Sequence, residues 1–278
     1  MIDKIKQLPS LQETVKEFDL APKKSLGQNF LFDMNITTKI AGIAGDLNDI
    51  NVIEIGSGPG GLTRALLMAG ANVTCVEADP RAVSAIQPLK DIAGDKLNII
   101  NADATKTDIT KIGTMPRQVI ANLPYNVGTV LLTNWLEIPN EFTKLTLMFQ
   151  KEVAERISAS VGEKHYGRLA ILCNLLCHTS IEMILPPSAF TPPPKVDSAV
   201  VSLTIREKPL YECNVKTVSR VTKMAFGQRR KMIRASLKQL GVDTLKLLKM
   251  ANIVETKRAE ELTIEEFCRL ANTLDNNF

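Results

Sequence analysis

The chain has 278 residues, of which 45% are hydrophobic and 23% are charged. These values are ordinary for a globular protein of one or two domains and exclude intrinsic disorder as its main state. No apolar run approaches the roughly 20 residues that a membrane-spanning helix needs. The first residues do not resemble a secretory signal, and five scattered Cys argue against a disulfide framework. We therefore expect a cytoplasmic protein without a membrane anchor.

Positive charge is concentrated near the C-terminus. Residues 206–278 hold 15 basic and 9 acidic side chains, whereas residues 1–205 hold 19 basic and 21 acidic ones. Within the tail, residues 216–238 carry eight basic side chains and no acidic one. A basic segment next to a nearly neutral domain favours a polyanionic partner such as nucleic acid. A solvated helix surface is the alternative interpretation of the same charges.

The first part of the chain predicts an α/β domain. After an amphipathic stretch at 11–18, apolar runs alternate with helical segments at 62–69 and 81–89. The apolar runs are expected to be strands at 52–56, 73–77, 97–102, 118–121 and 145–149. Near-continuous apolar strands separated by helices are typical of a mostly parallel sheet that is covered on both faces.

The alternation of strands and helices stops after residue 178. Two further strands, at 180–185 and 198–205, follow each other with no helix between them. The segment that joins them, 186–196, is rich in proline and is expected not to be helical. This pattern predicts an antiparallel pair at one edge of the sheet.

From residue 206 the pattern is wholly helical, and Thr263 with Glu266 fits a capping box for the last helix. We place the domain boundary near residues 205–212. Residues 1–205 are expected to form the α/β domain, with 1–20 as an extension of unknown purpose. Residues 206–278 are expected to form a small all-α domain.

A glycine-rich turn lies between the first predicted strand of the sheet and its helix. Residues 54–63 read EIGSGPGGLT, in which Gly56, Gly58 and Gly61 match the GxGxxG spacing. Glycines at these positions let the backbone approach a ligand closely. Glu77 ends the next strand, 21 positions after Gly56, where an acidic side chain can accept hydrogen bonds from ribose hydroxyls. The turn therefore predicts a cofactor that contains a nucleoside.

Two neighbouring residues favour S-adenosylmethionine over NAD. Glu54 lies two positions before the first glycine, where a carboxylate can organise a cationic amino-acid group through its neighbours. Pro59 stiffens a turn whose free amides a pyrophosphate would need. NAD and a purely structural turn remain alternatives on the glycine pattern alone. Asp103, after the third strand, is a candidate acceptor for the amino group of adenine, or else the cap of a local turn or helix.

The segment after the fourth strand suits the methylation of an amine on an aromatic ring. Residues 122–125 read NLPY. The lone pair of such an amine is delocalised, so acceptors for its two hydrogens help it to react. The Asn122 side-chain oxygen and the Leu123 carbonyl are candidates, Pro124 fixes the direction of that carbonyl, and Tyr125 offers a face for stacking. A strand-end turn without chemistry is the alternative interpretation of this tetrapeptide alone.

Motifs along nearly the whole chain resemble the ribosomal RNA adenine dimethyltransferases, in particular those that act on small-subunit RNA. NLPY is similar to the (N/D)PPY signature of amino-group methyltransferases, and residues 54–63 resemble the cofactor turn of the family. Further similar segments are KKSLGQNFL at 23–31, FQKEVA at 149–154, FTPPPKVDSAV at 190–200 and AFGQRRKM at 225–232. The resemblance implies a Rossmann-like class I methyltransferase fold and S-adenosylmethionine as cofactor. It also implies dimethylation of N6 of two adjacent adenosines in the terminal hairpin of 16S RNA, with a role in small-subunit biogenesis.

The resemblance also assigns roles to individual residues. The implied cofactor contacts are Asn29, Leu31, Gly56, Gly58, Glu77, Asp103 and Asn122. The residues implied to meet the target adenine are Asn122, Leu123, Tyr125 and Phe190. Tyr125 and Phe190 would sandwich the flipped base. Independently of the resemblance, charge and helical spacing predict that Lys223, Arg229, Arg230, Lys231 and Arg234 grip the RNA backbone.

Several alternatives remain open at this point. A large-subunit RNA methyltransferase of the antibiotic-resistance type shares the fold and most motifs. An NAD oxidoreductase and a non-catalytic assembly factor are further possibilities. Cys173, Cys177 and His178 lie in or next to an apolar helical run, so we expect buried thiols and no metal site. We expect a monomer whose partners are small-subunit RNA and the pre-ribosomal small subunit.

Overall fold

The computed structural model describes residues 1–22, 27–228 and 230–278. The chain divides into two compact units. The first contains residues 1–134, 140–154 and 180–205. The second contains residues 135–139, 155–179 and 206–278, so it includes two short stretches that the sequence analysis assigned to the first domain.

Nine strands are found in the part of the chain that the structure describes. They are β1 (Phe30–Leu31), β2 (Asn51–Ile55), β3 (Asn72–Glu77), β4 (Leu97–Asn101), β5 (Arg117–Asn122), β6 (Lys144–Gln150), β7 (Cys177–Leu185), β8 (Phe190–Thr191) and β9 (Ser198–Ile205). Seven of them form one sheet in the order β4-β3-β2-β5-β6-β9-β7. The pairs from β4 to β6 are parallel, and β9 is antiparallel to β6. The predicted fold class, a mostly parallel sheet with an antiparallel edge, is confirmed.

The strand order explains where a ligand can bind. From β2 the chain moves outward through β3 to β4 and then returns to the other side of β2 as β5. The loops after β2 and β5 therefore diverge at the carboxyl edge of the sheet. Such a topological switch point opens the crevice in which α/β proteins bind ligands.

Helices cover the sheet in the first unit and make up most of the second. The helices that begin in the first unit are α1 (Ile2–Lys6), α2 (Leu11–Glu17), α3 (Met34–Ile43), α4 (Gly61–Met68), α5 (Pro80–Ala93), α6 (Gly128–Trp135) and α7 (Lys151–Ser158). Those that begin in the second are α8 (Arg168–Leu176), α9 (Val215–Gly227), α10 (Ile233–Ser236), α11 (Thr244–Met250) and α12 (Ile264–Asn277). The capping box of the last helix is confirmed, because Thr263 and Glu266 bond each other's backbone amides.

The apolar runs of the sequence form the core of the first unit. Val52 and Ile120, on two central strands, are 1% and 0% exposed, and both belong to one cluster with residues of α4 and α5. This packing stabilises the strands whose ends carry the site. Two local predictions need adjustment. β7 begins at Cys177 rather than near residue 180, and Pro187–Ala189 form a 3₁₀ turn within the proline-rich segment. Pro187 is accommodated because the first position of a helical turn needs no amide hydrogen.

Candidate active site

The glycine-rich turn closes tightly between β2 and α4. Gly56 has φ 75° and Gly58 has φ 52°, a region that side chains other than glycine rarely adopt. A Cβ at Gly58 would also lie 3.0 Å from the Phe30 ring. At Gly56 the space beside the backbone is open instead. The turn thus needs glycine at both positions, and at Gly56 it leaves room for a ligand.

Glu77, at the end of β3, holds this turn in place. Its Oε2 accepts a hydrogen bond from the Gly58 amide at 3.0 Å, and its Oε1 accepts one from the Asp79 amide at 2.9 Å. The side chain is only 5% exposed. Burial raises the pKa of this carboxyl above its usual value, and the two amide contacts oppose that shift. Glu77 is therefore a fixed acceptor in the wall of the crevice.

A cavity of about 300 Å³ lies at this edge of the sheet. Its lining includes nearly all of the residues predicted to bind the cofactor or the target base: Asn29, Leu31, Gly56, Gly58, Glu77, Asp103, Asn122, Leu123 and Tyr125. These residues come from the ends of different strands and from the segment before α3. The fold therefore brings together in space what the sequence separates by up to 96 positions.

Asn122 ends β5, with its side chain held by one hydrogen bond. Its Nδ2 donates to the carbonyl of Asn29 at 3.1 Å. This contact uses an amide hydrogen and leaves the oxygen Oδ1 for another partner. The next residues are closed into a turn, since the Gly128 amide donates to the Pro124 carbonyl at 3.0 Å. The segment thus presents a fixed side-chain acceptor at the cavity.

Tyr125 contributes a half-buried ring to the cavity. Its hydroxyl and the Ser198 hydroxyl lie 2.6 Å apart, and Ser198 is fully buried as the first residue of β9. Burial raises the pKa of the Tyr125 hydroxyl, so it stays protonated at neutral pH. Ser198 was not among the predicted site residues. A buried tyrosine hydroxyl needs a hydrogen-bond partner, so the sequence indicates that a partner exists but not which residue supplies it.

Phe190 is not among the residues that line the cavity. It is 3% exposed and belongs to the core cluster that contains Met148 and Val200. It lies on β8, where it pairs with Leu31 of β1. In this structure its ring therefore packs as part of the core, and the sandwich of Tyr125 and Phe190 around a base stays a prediction.

Asp103 lies at the cavity but is engaged locally. Its Oδ1 accepts from the amide and from the hydroxyl of Thr105, at 2.9 and 2.7 Å. These contacts, chiefly that with the Thr105 hydroxyl, lower the pKa of the exposed Asp103 carboxyl. The structure thus contains the local turn that the sequence offered as the alternative. The second carboxylate oxygen lies 3.8 Å from Lys106 Nζ and can still accept a hydrogen bond from a ligand amine.

Glu54 lies beneath the turn with its carboxyl buried. Thr63 Oγ1 donates to Oε2 at 2.6 Å, and the Cys75 thiol donates to the same oxygen at 3.3 Å. Burial raises the pKa of Glu54 to about 7, which the Thr63 and Cys75 contacts partly oppose. Sequence reasoning did not find these two partners, because they come from α4 and β3.

Four of the five residues predicted to grip the RNA backbone are exposed. They are Lys223 on α9 and Arg230, Lys231 and Arg234 farther along the chain. Arg234 forms an ion pair of 2.5 Å with Glu255, so part of its charge is already balanced. Arg229, the remaining member of the predicted set, lies outside the described residues.

The thiols at the end of α8 and the start of β7 behave as core residues. Cys173 and Cys177 are fully buried, and burial raises the pKa of Cys177 to about 12. The His178 ring bonds Arg206 at 2.8 Å. Within residues 1–22, 27–228 and 230–278 no group of three or more His, Cys, Asp or Glu side chains is arranged to hold a metal ion. Nor does that part of the chain contain a helix that is long and apolar enough to cross a bilayer.

Known proteins were compared with the chain by sequence. The model of the family described as ribosomal RNA adenine dimethylase matches residues 20–276. The ribosomal RNA small subunit methyltransferase A of Brucella melitensis is 52% identical over 274 residues, which is 96% of this chain and 98% of that protein. The protein of the same name from Cereibacter sphaeroides is 50% identical over 270 residues, covering 96% and 97% of the two chains.

Solved structures were also compared. A dimethyladenosine transferase from Plasmodium falciparum superimposes with a TM-score of 0.76 and 28% identity, over 88% of this chain and 97% of that one. The 23S rRNA methyltransferase ErmE gives a TM-score of 0.68 and 26% identity, over 89% and 100% of the two chains. Each alignment covers nearly nine tenths of this chain.

Proposed function

The chain belongs to the ribosomal RNA adenine dimethylase family, and on that premise we propose that it dimethylates N6 of adenosines in small-subunit ribosomal RNA with S-adenosylmethionine as methyl donor. Curated relatives near 50% identity carry a small-subunit name over almost their whole length. We infer two adjacent adenosines of the terminal hairpin as targets, as the motif resemblance implies. The protein would act in the cytoplasm, as a monomer, on the pre-ribosomal small subunit.

The charge of the cavity carries the cofactor assignment. Its described lining contains the carboxyl groups of Glu54, Glu77 and Asp103 and no Lys or Arg. A sulfonium donor is cationic and suits these carboxyl groups, whereas the described wall offers no basic side chain to the pyrophosphate of NAD. The cavity volume of about 300 Å³ lies within the range of small-molecule sites. These observations support S-adenosylmethionine.

Several of the lining residues would hold the donor. Glu77 would accept hydrogen bonds from the ribose hydroxyls, and Asp103 would accept one from the adenine amine. The open face of Gly56 would admit the methionine portion, and Asn29 with Leu31 would cover it. S-adenosylmethionine supplies an electrophilic methyl group; the protein's own task is to orient the amine that attacks it.

Asn122 and Leu123 would orient the target amine. The Asn122 contact with Asn29 fixes the amide so that Oδ1 remains as the acceptor. Hydrogen bonds from the amine to Oδ1 and to the Leu123 carbonyl draw electron density toward the nitrogen. They strengthen as that nitrogen becomes positively charged, so they favour the transition state over the ground state. A strong base is unnecessary because the proton leaves after the methyl group has been transferred.

Base capture would use the ring of Tyr125. An adenine inside an RNA helix has to leave its stack before N6 can reach a donor, and an aromatic face compensates for the lost stacking. Phe190 would supply the second face only after its ring leaves the core position that it occupies in this structure. The basic residues of the helical unit would bind the phosphate backbone without reading sequence.

The substrate is tested by methyl transfer to isolated ribosomal subunits. Undermethylated small subunits, large subunits and naked RNA are incubated with labelled S-adenosylmethionine, and the modified nucleotides are mapped. We expect dimethylated adenosines in the small subunit alone. Label confined to large-subunit RNA would instead assign the antibiotic-resistance activity, which the similarity to ErmE makes the second candidate. Absence of label from all substrates, with intact binding to small subunits, would favour a non-catalytic assembly factor.

A further inference from the structure

The N-terminal extension is packed into the first unit and ends beside the cofactor cavity. Its helices α1 and α2 bury Ile5 and Leu11, which are 2% and 3% exposed. The Arg64 Nη1 atom of α4 donates to the Pro9 carbonyl at 2.8 Å. A Cβ added to Gly61, the first residue of α4, would lie 2.9 Å from Leu11 Cδ1. The extension is therefore fitted against the helix that follows the glycine-rich turn.

A small hydrophobic cluster joins the end of the extension to the segment that covers the cavity. Leu20 is fully buried and packs in one cluster with Phe30 and with Ala82 and Ala85 of α5. Phe30 is the residue whose ring would meet a Cβ at Gly58 at 3.0 Å. The cluster thus links the extension, α5 and the glycine-rich turn.

Arg81, in the first turn of α5, also joins the end of the extension to α5, through hydrogen bonds from its guanidinium group. Its Nε and Nη2 atoms donate to Asp79 Oδ1 and Oδ2 at 3.1 and 2.7 Å. Its Nη1 donates to the Asp19 carbonyl at 2.6 Å, and Nη2 also reaches the Ala21 carbonyl at 3.3 Å. One guanidinium group therefore binds a buried carboxylate and two backbone carbonyls of the chain that leads into the segment over the cavity.

Asp79 connects the Arg81 guanidinium group to residues that line the cavity. It is 2% exposed, its backbone amide donates to Glu77 Oε1 at 2.9 Å, and Gln28 Nε2 donates to its Oδ2 at 3.4 Å. Gln28 belongs to the lining of the cavity. A continuous chain of hydrogen bonds thus connects Glu77 with Asp79, Asp79 with Arg81, and Arg81 with Asp19.

We propose that Arg81 is a positioning residue for cofactor binding: by holding Asp79 and the carbonyls of Asp19 and Ala21, it keeps residues 27–31 packed beside α5 and so keeps the cavity in its binding-competent form. Arg81 is not part of the cavity lining. The proposal rests on the proposed function, since it takes S-adenosylmethionine as the ligand of this cavity. It also gives the N-terminal extension a purpose, because the Asp19 carbonyl binds Arg81 and Leu20 packs against Phe30 of residues 27–31.

The effect of losing this Arg81 anchor follows from the population of the competent form. If only a fraction of molecules hold residues 27–31 in place, the apparent dissociation constant rises by the inverse of that fraction. We expect Arg81→Ala to raise the dissociation constant of S-adenosylhomocysteine about tenfold. Turnover at saturating donor should stay within about threefold, because the groups that contact the amine are unchanged. Arg81→Lys keeps the charge but loses the guanidinium group, so it should fall between wild type and Arg81→Ala.

The test uses the full chain and three readouts. Calorimetry with S-adenosylhomocysteine gives the dissociation constant, hydrogen exchange gives the protection of amides 27–31 without ligand, and methyl transfer at saturating donor gives turnover. Lys39→Ala, which removes an exposed basic side chain from α3, is the matched control. We expect weaker binding and faster exchange at 27–31 in Arg81→Ala and no change in either for Lys39→Ala.

The outcomes separate this proposal from the proposed function. Unchanged affinity in Arg81→Ala overturns the anchoring role, and so does weaker binding with unchanged exchange at 27–31. If Arg81→Ala does not fold, Arg81→Lys supplies the same comparison. A wild-type chain that binds no S-adenosylhomocysteine, while exchange at 27–31 still responds to Arg81→Ala, contradicts the cofactor assignment and leaves the anchor standing.

Discussion

In the cofactor cavity, Glu77 is 5% exposed and bonds two backbone amides, and the Asn122 amide is tied to the Asn29 carbonyl. In the helical unit, Lys223, Arg230 and Lys231 are exposed side chains. The cavity depends on the direction of single atoms in a buried setting, where polar groups interact strongly. The helical unit offers charge on long side chains, where position matters less and salt screens the interaction.

This difference sets the size and character of mutational effects. Removing one group from the cavity should have a large effect that depends little on salt. Removing one basic residue should have a small effect that varies with salt and adds to the effects of its neighbours. The predictions below test that contrast, beginning with the largest expected effect.

Asn122→Ala should lower single-turnover methyl transfer on the order of 10²–10³-fold, the usual loss for one preorganised electrostatic partner. Because Oδ1 is assigned to the transition state, affinity for small subunits and for the donor should change far less. The measurement is single-turnover methylation of small subunits, with melting curves to establish folding. A folded Asn122→Ala variant with near-normal turnover would reduce the NLPY segment to a structural turn.

Glu77→Ala should weaken binding of S-adenosylmethionine by roughly 1.5–3 kcal/mol, the scale of a lost charged hydrogen bond. The structure adds a second cause, since the amides of Gly58 and Asp79 lose their acceptor. Glu77→Gln retains one side-chain oxygen and should lose less. Calorimetry with wild type and both variants measures this, and equal dissociation constants for all three would refute the ribose assignment.

Glu54→Gln should remove part of the pH dependence of stability. The folded state holds the Glu54 proton up to a pKa of about 7, whereas the unfolded chain releases it near the ordinary pKa of 4.5. The folded state therefore binds more protons between these values, and the free energy of unfolding falls as the pH rises through this window. A glutamine side chain at this position has no proton to lose. The stability of the variant relative to wild type should therefore rise by about 3 kcal/mol between about pH 4.5 and pH 8.

Chemical denaturation at the two pH values, without cofactor, measures this difference. Titrating groups that do not interact with Glu54 are common to wild type and variant and cancel in the comparison. A stability difference that stays constant over this pH range would show that the Glu54 carboxyl titrates normally in the folded protein.

Much of the fold could be predicted from sequence because strand burial leaves a local signal. The apolar runs of β2 and β5 and the glycines after β2 are contiguous in the chain, and the structure has them within one or two residues of the predicted bounds. Helix ends were harder to place. α5 continues through Pro88 to Ala93, because Leu89 and Ala93 are buried and packing outweighs the proline.

Most residues that line the cavity could be picked out from the sequence, but their contacts could not. Asn122 and Glu77 stand at strand ends, where the sequence pattern and the sheet topology together point to a ligand. Ser198 lies 73 positions from Tyr125, and its contact exists because β9 inserts next to β6. Arg81 lies 62 positions from Asp19, and no spacing rule connects them. Such contacts depend on tertiary packing, which leaves no periodic signal in one sequence.

Replacing Arg230 and Lys231 together with Gln should lower RNA affinity and flatten its salt dependence. Each lost phosphate contact lowers the slope of log K against log salt by about 0.9, so the pair should lower it by about two. Arg234→Gln should change the slope by less than about one, because the charge of Arg234 is already paired with Glu255. Cofactor affinity should not change.

Filter binding at several salt concentrations gives these slopes, and Lys39→Gln in the first unit is the control. An unchanged slope in a folded double variant would leave the basic residues as solvated surface. The prediction that the helical unit contributes salt-dependent RNA binding would then be wrong.

The smallest effect is expected for the hydroxyl pair behind the stacking ring. Tyr125→Phe keeps the aromatic face and should reduce turnover only a few-fold, whereas Tyr125→Ala should also weaken base capture, by about 1–3 kcal/mol. Ser198→Ala removes the other end of the same 2.6 Å contact. If the contact only positions the ring, the Tyr125→Phe and Ser198→Ala double variant should be no worse than either single one, because both changes break one interaction. Additive losses would mean that each hydroxyl acts separately. A Tyr125→Phe variant as inactive as Tyr125→Ala would show that the hydroxyl itself takes part, and the stacking account of Tyr125 would then be wrong.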